Sequence, residues 1–470
     1  MIELTASAKT KRFFSLLRQA ITGSEQDYTT GSIRKAVFLL AIPMIMEMMM
    51  ESVFAVVDIF FVGKLGNSAV ATVGLTESVL SLVYSIAIGL SMAATALVAR
   101  RVGEKNYQEA ARAGMQTILF ALVLSVAIAV VGVSSSASIL RLMGANEKMV
   151  ADNILYTQIE FAGNLVIMLL FLINGIFRGA GDASIAMWSL WIGNIANIIL
   201  CPVLIYGLGP IPALGLKGAA IATTTGRGIG VLYQLYRLFI KKGLLQFYIH
   251  QLKPQKELLW EIFQIGGTGT VQFLVSSASW IFLARLMAAF GEDAMAGYQV
   301  AIRLLIFFIL PAWGMSNAAA TLTGQNLGAG KPERAEKSVW ITTFYNVAFM
   351  LSVSVFFFVL GGPVVNFMNS DPQARRYAID ALRTISLGYV FFGVGMVMLN
   401  AFNGAGDTRT PTIVNLIGFW LFQIPLAWLL SKYIIKGPKG IFIAIVISEF
   451  VASALSLYLF KLGKWKTVKV

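Results

Sequence analysis

Residues 89–110, GLSMAATALVARRVGEKNYQEA, return without a gap at residues 314–335 as GMSNAAATLTGQNLGAGKPERA. The offset is 225 residues, and it is kept elsewhere. FRGAGD (177–182) lies over FNGAGD (402–407), and LGNSAVATVGL (65–75) lies more weakly over FGEDAMAGYQV (290–300). LKGAAIA (216–222) matches PKGIFIA (438–444) at an offset of 222. Matches that preserve one offset over so much of a chain imply two homologous halves.

The stretches between the repeats identify the solvent. The chain has 470 residues, 57% of them hydrophobic and 13% charged, with a mean hydropathy of +0.75. Soluble domains carry about 25% charged residues. Apolar runs of about 20 residues, enough to cross about 30 Å of hydrocarbon as helix, recur from end to end. Period-2 alternation is absent, which excludes a closed β-barrel.

We therefore read an all-α polytopic membrane protein with twelve transmembrane helices, near 35–61, 70–99, 113–137, 154–178, 185–207, 216–240, 258–287, 295–323, 336–360, 376–402, 412–434 and 440–461. They divide into an N-terminal segment (1–34), a six-helix lobe (35–240), a linker (241–257), a second six-helix lobe (258–461) and a basic tail (462–470). Six spans per half preserve orientation, so the lobes are expected to be related by a pseudo-two-fold axis along the membrane normal. Substrate is expected at the interface between such repeats.

Residues 1–30 show no cleavable signal peptide. KTKRFFSLLRQAI is read as a short interfacial helix with Phe13, Phe14, Leu16 and Leu17 toward lipid, or as a partly ordered tail.

The formal net charge of +14 is topological and does not point to nucleic acid. Lys and Arg gather near both termini and after the second, sixth and eighth helices: Arg100, Arg101 and Lys105; Lys241, Lys242, Lys253 and Lys256; Lys331, Arg334 and Lys337. Twelve helices put all of these on one side, which the positive-inside rule makes cytoplasmic, together with both termini.

One Cys and one His exclude an internal disulfide and any metal-ligand spacing. His250 is read as a linker surface residue, and Cys201 as a small packed or membrane-facing one. GRGIG (226–230) follows no strand and is discounted as a dinucleotide loop, and no GxxxxGK[ST] phosphate loop exists. The repeated GAGD is read chiefly as a tight turn whose Asp182 or Asp407 caps the next helix. Nothing here assembles a catalytic set, so an enzyme is not expected, and no cofactor beyond a coupling ion.

The first helix holds the chemistry. AIPMIMEMMMESVFAVVDIFFVG (41–63) carries Glu47, Glu51 and Asp58. An acid at the centre of a membrane helix costs about 2.5–3.5 kcal/mol on insertion scales. At 100° per residue all three fall within about 40° of one another, on a stripe about 16 Å long. Such a stripe must face protein or water. Pro43 lies on the same side and favours a bend.

Arg178 and Arg227 are the only mid-chain basic candidates in this half, so the acids are expected to lack basic partners and to titrate. That describes a proton-coupling site, or a Na+ site if Asn174, Asn194 and Asn197 complete an oxygen shell, with Na+ at Asp58 and Asn197. The alternative is an interhelical hydrogen-bond cluster with no transport role. At the repeat offset Asp58 falls on Leu283, so coupling is expected in the N-terminal half alone. In the second half Tyr298, Gln299, Arg303, Trp280 and Trp313 are candidates to line a substrate cavity, with Met48 of the Met-rich first helix, or else to serve in packing.

Twelve spans in two halves, VVDIFFVGKLG (56–66), GAGD, IYGLGPIPALGLKGAAIAT (205–223) and GQNLGAGKPERA (324–335) together resemble the multidrug and toxic compound extrusion (MATE) family over nearly the whole chain. The resemblance implies V-shaped lobes around a central cavity. It also implies export of amphipathic, often cationic compounds against H+ or Na+. Acids confined to the first half resemble the DinF-like and archaeal branch. There the first-helix Asp matches Asp58, a Gln matches Glu51, and an Asn-x-x-x-Asp-Pro matches Asn197, Cys201 and Pro202. This chain thus carries an acid in place of the Gln and a Cys in place of the second acid, which reads as a relocated carboxylate.

The leading expectation is a cation-coupled exporter in the cell (inner) membrane, monomeric, with small organic substrates and the lipid bilayer as its partners. The alternative is a flippase or exporter of a lipid-linked or other native metabolite. A membrane enzyme lacks a catalytic set, and a channel fits the repeat poorly.

Overall fold

The computed structural model describes residues 6–23, 26–241, 243–368 and 371–469. The side chain of His250 lies outside the described set.

A short helix, α1 (Ala6–Thr22), precedes the spans. The first half follows as α2 (Ile33–Gly63), α3 (Asn67–Gly103), α4 (Tyr107–Leu142), α5 (Glu147–Ala162), α6 (Asn164–Gly179), α7 (Ala183–Tyr206) and α8 (Leu216–Phe239). The second comprises α9 (Lys256–Ala288), α10 (Glu292–Gly328), α11 (Pro332–Met368), α12 (Pro372–Ser386), α13 (Tyr389–Gly404), α14 (Arg409–Ile434) and α15 (Lys439–Lys461). Pro43 sits buried within α2, which runs unbroken past it.

Ten of these spans are long and apolar enough to cross a bilayer; α5 and α6 count as one of them, and the bent pair α12–α13 makes an eleventh. The twelfth, α8, has 24 residues, long enough for the purpose. It falls short on hydropathy because it brings Thr223, Arg227 and Gln234 into the protein interior. The expected helix at 154–178 is broken in two at Gly163, and that at 376–402 at Gly388 with a bend of 54°. The two break points are themselves 225 residues apart.

The repeat is visible in the contacts. A Cβ added at Gly103 would run into the backbone carbonyl of Gln325, and one added at Gly328 would run into that of Arg100. Gly328 is the repeat partner of Gly103, and Gln325 that of Arg100. Helix α3 thus meets α10 as two copies meet across a two-fold axis, each presenting the same patch. GAGD also forms the same left-handed turn twice, with φ 89° at Gly181 and 87° at Gly406. Its carboxylate caps the start of the next helix, Asp182 Oδ1 accepting from Ser184 N (3.1 Å) and Asp407 Oδ1 from Thr410 N (3.1 Å).

Each half has its own apolar core. One is built on α3, α4 and α6, with Ile262 and Ile265 of α9 joining it. Another lies wholly within α9 to α15. Residues 26–32 strap the halves together on the side carrying the basic clusters. Tyr28 N donates to Gln325 Oε1 (3.0 Å), and Tyr28 Oη donates to the Gly181 carbonyl (3.2 Å). Arg334 donates to the carbonyls of Tyr28 (3.1 Å) and Thr30 (2.8 Å), and Lys331 Nζ to that of Thr29 (3.0 Å). Burial first, and then the charge of Asp182, pushes the Tyr28 phenol up, so it stays protonated and able to donate. On α1, Phe13 and Phe14 are exposed while Leu16 and Leu17 are partly covered. Trp188 Nε1 ties the helix end to α7 through the Ile21 carbonyl (2.9 Å).

Candidate functional site

The stripe on α2 faces α6, α7 and α8, and its three acids enter different surroundings. Glu47 is 2% exposed. Its Oε1 accepts from Arg178 and from Asn174 Nδ2 (3.1 Å), both on α6. Asn174 Oδ1 in turn accepts from Gln234 Nε2 (2.5 Å) and Ser189 Oγ (3.2 Å). This is an interhelical network in which the Asn174 carbonyl is already engaged, while Glu47 Oε2 and Arg178 Nε have no hydrogen-bond partner among the described residues.

Glu51, one turn on, pairs with Arg227 of α8 at 3.5 Å. The Arg227 guanidinium is bonded to the Tyr84 hydroxyl and lies over the rings of Phe54 (5.1 Å) and Tyr84 (5.5 Å). The expectation that these acids lack basic partners is therefore corrected. Helices α6 and α8 both pack toward the stripe, and each brings one arginine at the right height.

Asp58 has no basic partner within ion-pair distance among the described residues. Its Oδ1 accepts from the Cys201 thiol at 3.8 Å. Cys201 is fully buried, so it is packed into the site and does not face the membrane. The charges of Arg227 and Glu77 act on Asp58 from a distance. Glu160, 5% exposed on α5, interacts with Arg227, Asp58 and Glu77. Of these carboxylates only Glu51 lies within ion-pair distance of Arg227 among the described residues; Asp58, Glu160 and the exposed Glu77 act through longer-range charge.

Two amides flank the group. Asn197 Nδ2 donates to Thr223 Oγ1 (3.1 Å) and Asn194 Nδ2 to the Met50 carbonyl (3.4 Å). Their Oδ1 atoms have no hydrogen-bond partner among the described residues. Excess negative charge with spare amide oxygens, largely shielded from water, suits a proton or a small cation. No group of three or more His, Cys, Asp and Glu positioned for a metal occurs among the described residues.

A narrow cleft lies between the halves. Met48, Ser91, Thr95 and Arg178 line it from one side, and Trp313, Asn317 and Asn400 from the other. Of the expected cavity residues, Met48 is therefore in this cleft, and Trp313 joins it. Trp280 lines a second cleft within the second half. Tyr298 is buried in the core, stacked on Phe442 at 6.4 Å, with its hydroxyl unpartnered among the described residues. Gln299 and Arg303 are exposed.

The sequence reading missed Glu77, Glu160 and, in the second half, Glu449. Coupling was expected in the first half alone, and the second half also buries an acid, Glu449, 6% exposed on α15. Each is an acid within an apolar run, which is the signal that could have found it.

The MatE family profile matches this chain twice, at residues 43–203 and 268–429. The matches begin 225 residues apart, at the repeat offset. The chain belongs to the MatE family. Among relatives of this MatE protein, the "Probable multidrug resistance protein NorM" of Thermotoga maritima is 26% identical over 440 residues, covering 92% of this chain and 93% of that one. The "FAD transporter" of Shewanella oneidensis is 24% identical, covering 92% and 95%. Among solved structures, a MATE protein crystallised with MaL6 superposes with a TM-score of 0.87 at 28% identity, over 92% of this chain and 97% of that one. The MatE protein is thus a multi-pass helical membrane protein of a transporter family.

Proposed function

We propose that this MatE protein is a secondary active exporter of amphipathic, often cationic, organic compounds. It works by alternating access of two lobes, residues 35–240 and 258–461, joined by the 241–257 linker. Both termini are cytoplasmic in the cell membrane, the protein acts as a monomer, and it changes no covalent bond in its cargo. Uptake of H+ or Na+ at the acids of the first lobe drives export, with Asp58 as the central group. Glu51, Asn194 and Asn197 support it, while Glu47 and Asn174 hold the neighbouring network in register.

The observation that carries this reading is the Asp58–Cys201 contact. It leaves one partly buried carboxylate with a weak thiol donor as its only direct partner among the described residues, on the face toward α7, which carries two open amide oxygens. A group so poorly compensated exchanges a proton or Na+ readily when access changes sides. The central cleft between the halves supports the alternating-access part. The relatives named for multidrug resistance and export support the cargo class.

Proteoliposome efflux with pH and Na+ gradients imposed separately tests the proposal. One of the two gradients should drive drug export in the parent and fail in Asp58→Asn. Export that ignores both gradients sinks it. The second reading, export of a native metabolite, is favoured by the relative named for FAD transport. It predicts that FAD competes with drug efflux.

A further inference from the structure

A groove of about 600 Å³ opens on the surface where the two halves meet, away from the acids of α2 and from the central cleft. It runs between the start of α2, in the first half, and the first turns of α11, in the second. Both helices begin at one level, where Arg334 holds the Thr30 carbonyl (2.8 Å). The lining changes character along α11. Glu333 and Lys337 stand with Arg34 near the helix starts, and Trp340, Ile341 and Phe344 follow at helical spacing. Phe344 is 69% exposed and Trp340 38%, so the deeper part of the groove is apolar and open to the surroundings.

The charges at its head are not all spent. Glu336 is matched: Lys466 pairs with it, and Trp340 Nε1 donates to it (3.5 Å). Lys331 and Arg334 are taken up by the carbonyls of Thr29, Tyr28 and Thr30. Arg34, Lys337 and Glu333 are exposed and engage no partner among the described residues. Two unspent cations, one from each half, therefore share the groove. The unspent acid lies one helical turn, about 6 Å, before Lys337, toward the water.

This order of groups fits an amphiphile lying along α11. Arg and Lys take phosphate oxygens, and basic pockets between membrane helices hold lipid headgroups. Trp and Tyr mark the level of the headgroups, with apolar side chains below them for the acyl chains. A purely anionic headgroup would set its charge beside Glu333. A headgroup with an ammonium two carbons beyond its phosphate gives Glu333 a partner as well. A primary ammonium can donate hydrogen bonds to that carboxylate, and a trimethylated one cannot.

We propose that this groove binds one phospholipid of the phosphatidylethanolamine type, its phosphate held by Arg34 and Lys337, its ammonium by Glu333 and its chains along Trp340 and Phe344. One headgroup thereby contacts both halves. The contact is independent of cargo and coupling ion; only its assignment to the cytoplasmic leaflet rests on the topology proposed above.

Native mass spectrometry of the purified full-length protein, titrated with phosphatidylethanolamine, phosphatidylcholine or phosphatidylglycerol, tests this. The parent should bind the first about threefold more tightly than the second, the worth of an exposed ion pair. Arg34→Gln and Lys337→Gln should each weaken both by about fivefold, the worth of one interfacial cation. Glu333→Gln should keep its affinity for phosphatidylcholine and lose the preference. All three side chains are exposed, so size-exclusion profiles should match the parent. Equal affinity of the parent for the first two lipids, or a preference that survives Glu333→Gln, overturns the role of the ammonium and with it the proposal. Tightest binding of phosphatidylglycerol makes the groove an anionic-lipid site and overturns it too. So does a folded double variant, Arg34→Gln with Lys337→Gln, that binds phosphatidylethanolamine within about twofold of the parent.

Discussion

The Cys201 thiol lies 3.8 Å from Asp58 Oδ1, α7 packing its one thiol against the carboxylate of α2. A thiol is a weak donor. Asp58 is therefore less firmly held than Glu47, which is locked between an arginine and an amide.

Asp58→Asn keeps size and polarity and removes titration. A neutral amide is cheaper in the membrane than a carboxylate, so the protein should fold. Gradient-driven efflux should fall to background while drug binding persists. Glu51→Gln should be milder if Glu51 only supplements Asp58. The double variant Cys201→Asp with Glu51→Gln moves an acid to the position beside Asp58 and should restore coupled efflux. Parent-like efflux by Asp58→Asn and Glu51→Gln across the pH range would make the stripe purely structural.

The Glu47–Arg178 pair predicts a stability effect. Glu47→Ala leaves a mostly buried arginine without its partner, which costs about 3–5 kcal/mol. The melting temperature in detergent should drop clearly. The apolar pair Glu47→Leu with Arg178→Met should recover most of the loss, because no buried charge is then left alone. A melt of Glu47→Ala indistinguishable from the parent would show that the pair contributes little.

Topology predicts labelling. In a Cys201→Ser background, Gln246→Cys lies in the linker and is exposed. It should react with a membrane-impermeant maleimide only from the cytoplasmic side. Reaction from outside would invert the orientation.

The architecture was legible because it is written twice. One offset predicts the helices and the paired turns at Gly181 and Gly406; the breaks at Gly163 and Gly388 keep the same offset but fall where unbroken helices were expected. The site was legible only in part. Helical periodicity puts Glu47, Glu51 and Asp58 on one face, but it cannot say which helices pack against that face. The ion pairs with Arg178 and Arg227 join residues 131 and 176 positions apart, a separation no local pattern reports. Glu77, Glu160 and Glu449 were visible as lone acids in apolar runs. They drew no attention because none shares a helix face with a second acid in the way that marks α2. Cys201 looked inert for the same reason, its role depending wholly on what α2 brings beside it.

The crossing of α3 and α10 yields the last prediction. Gly103 and Gly328 let the two backbones touch, each against a carbonyl of the other helix, near the basic clusters that the proposed topology puts on the cytoplasmic side. A valine at either position has no room, since the obstacle is backbone and cannot rotate away. If α3 and α10 must meet there to close the protein toward the cytoplasm, Gly328→Val props the halves apart on that side. Asn317 lines the central cleft and serves as reporter. In the Cys201→Ser background, Asn317→Cys should then label faster from the cytoplasmic side when Gly328→Val is present, and Gly103→Val should have the same effect because the repeat relates the two positions. Coupled efflux should fall in both. A loss of folding would appear as aggregation on size exclusion, and Gly328→Ala, with the smallest possible Cβ, should then give a weaker version of the same labelling change. Unchanged labelling in every folded variant would show that this crossing does not gate access to the cleft.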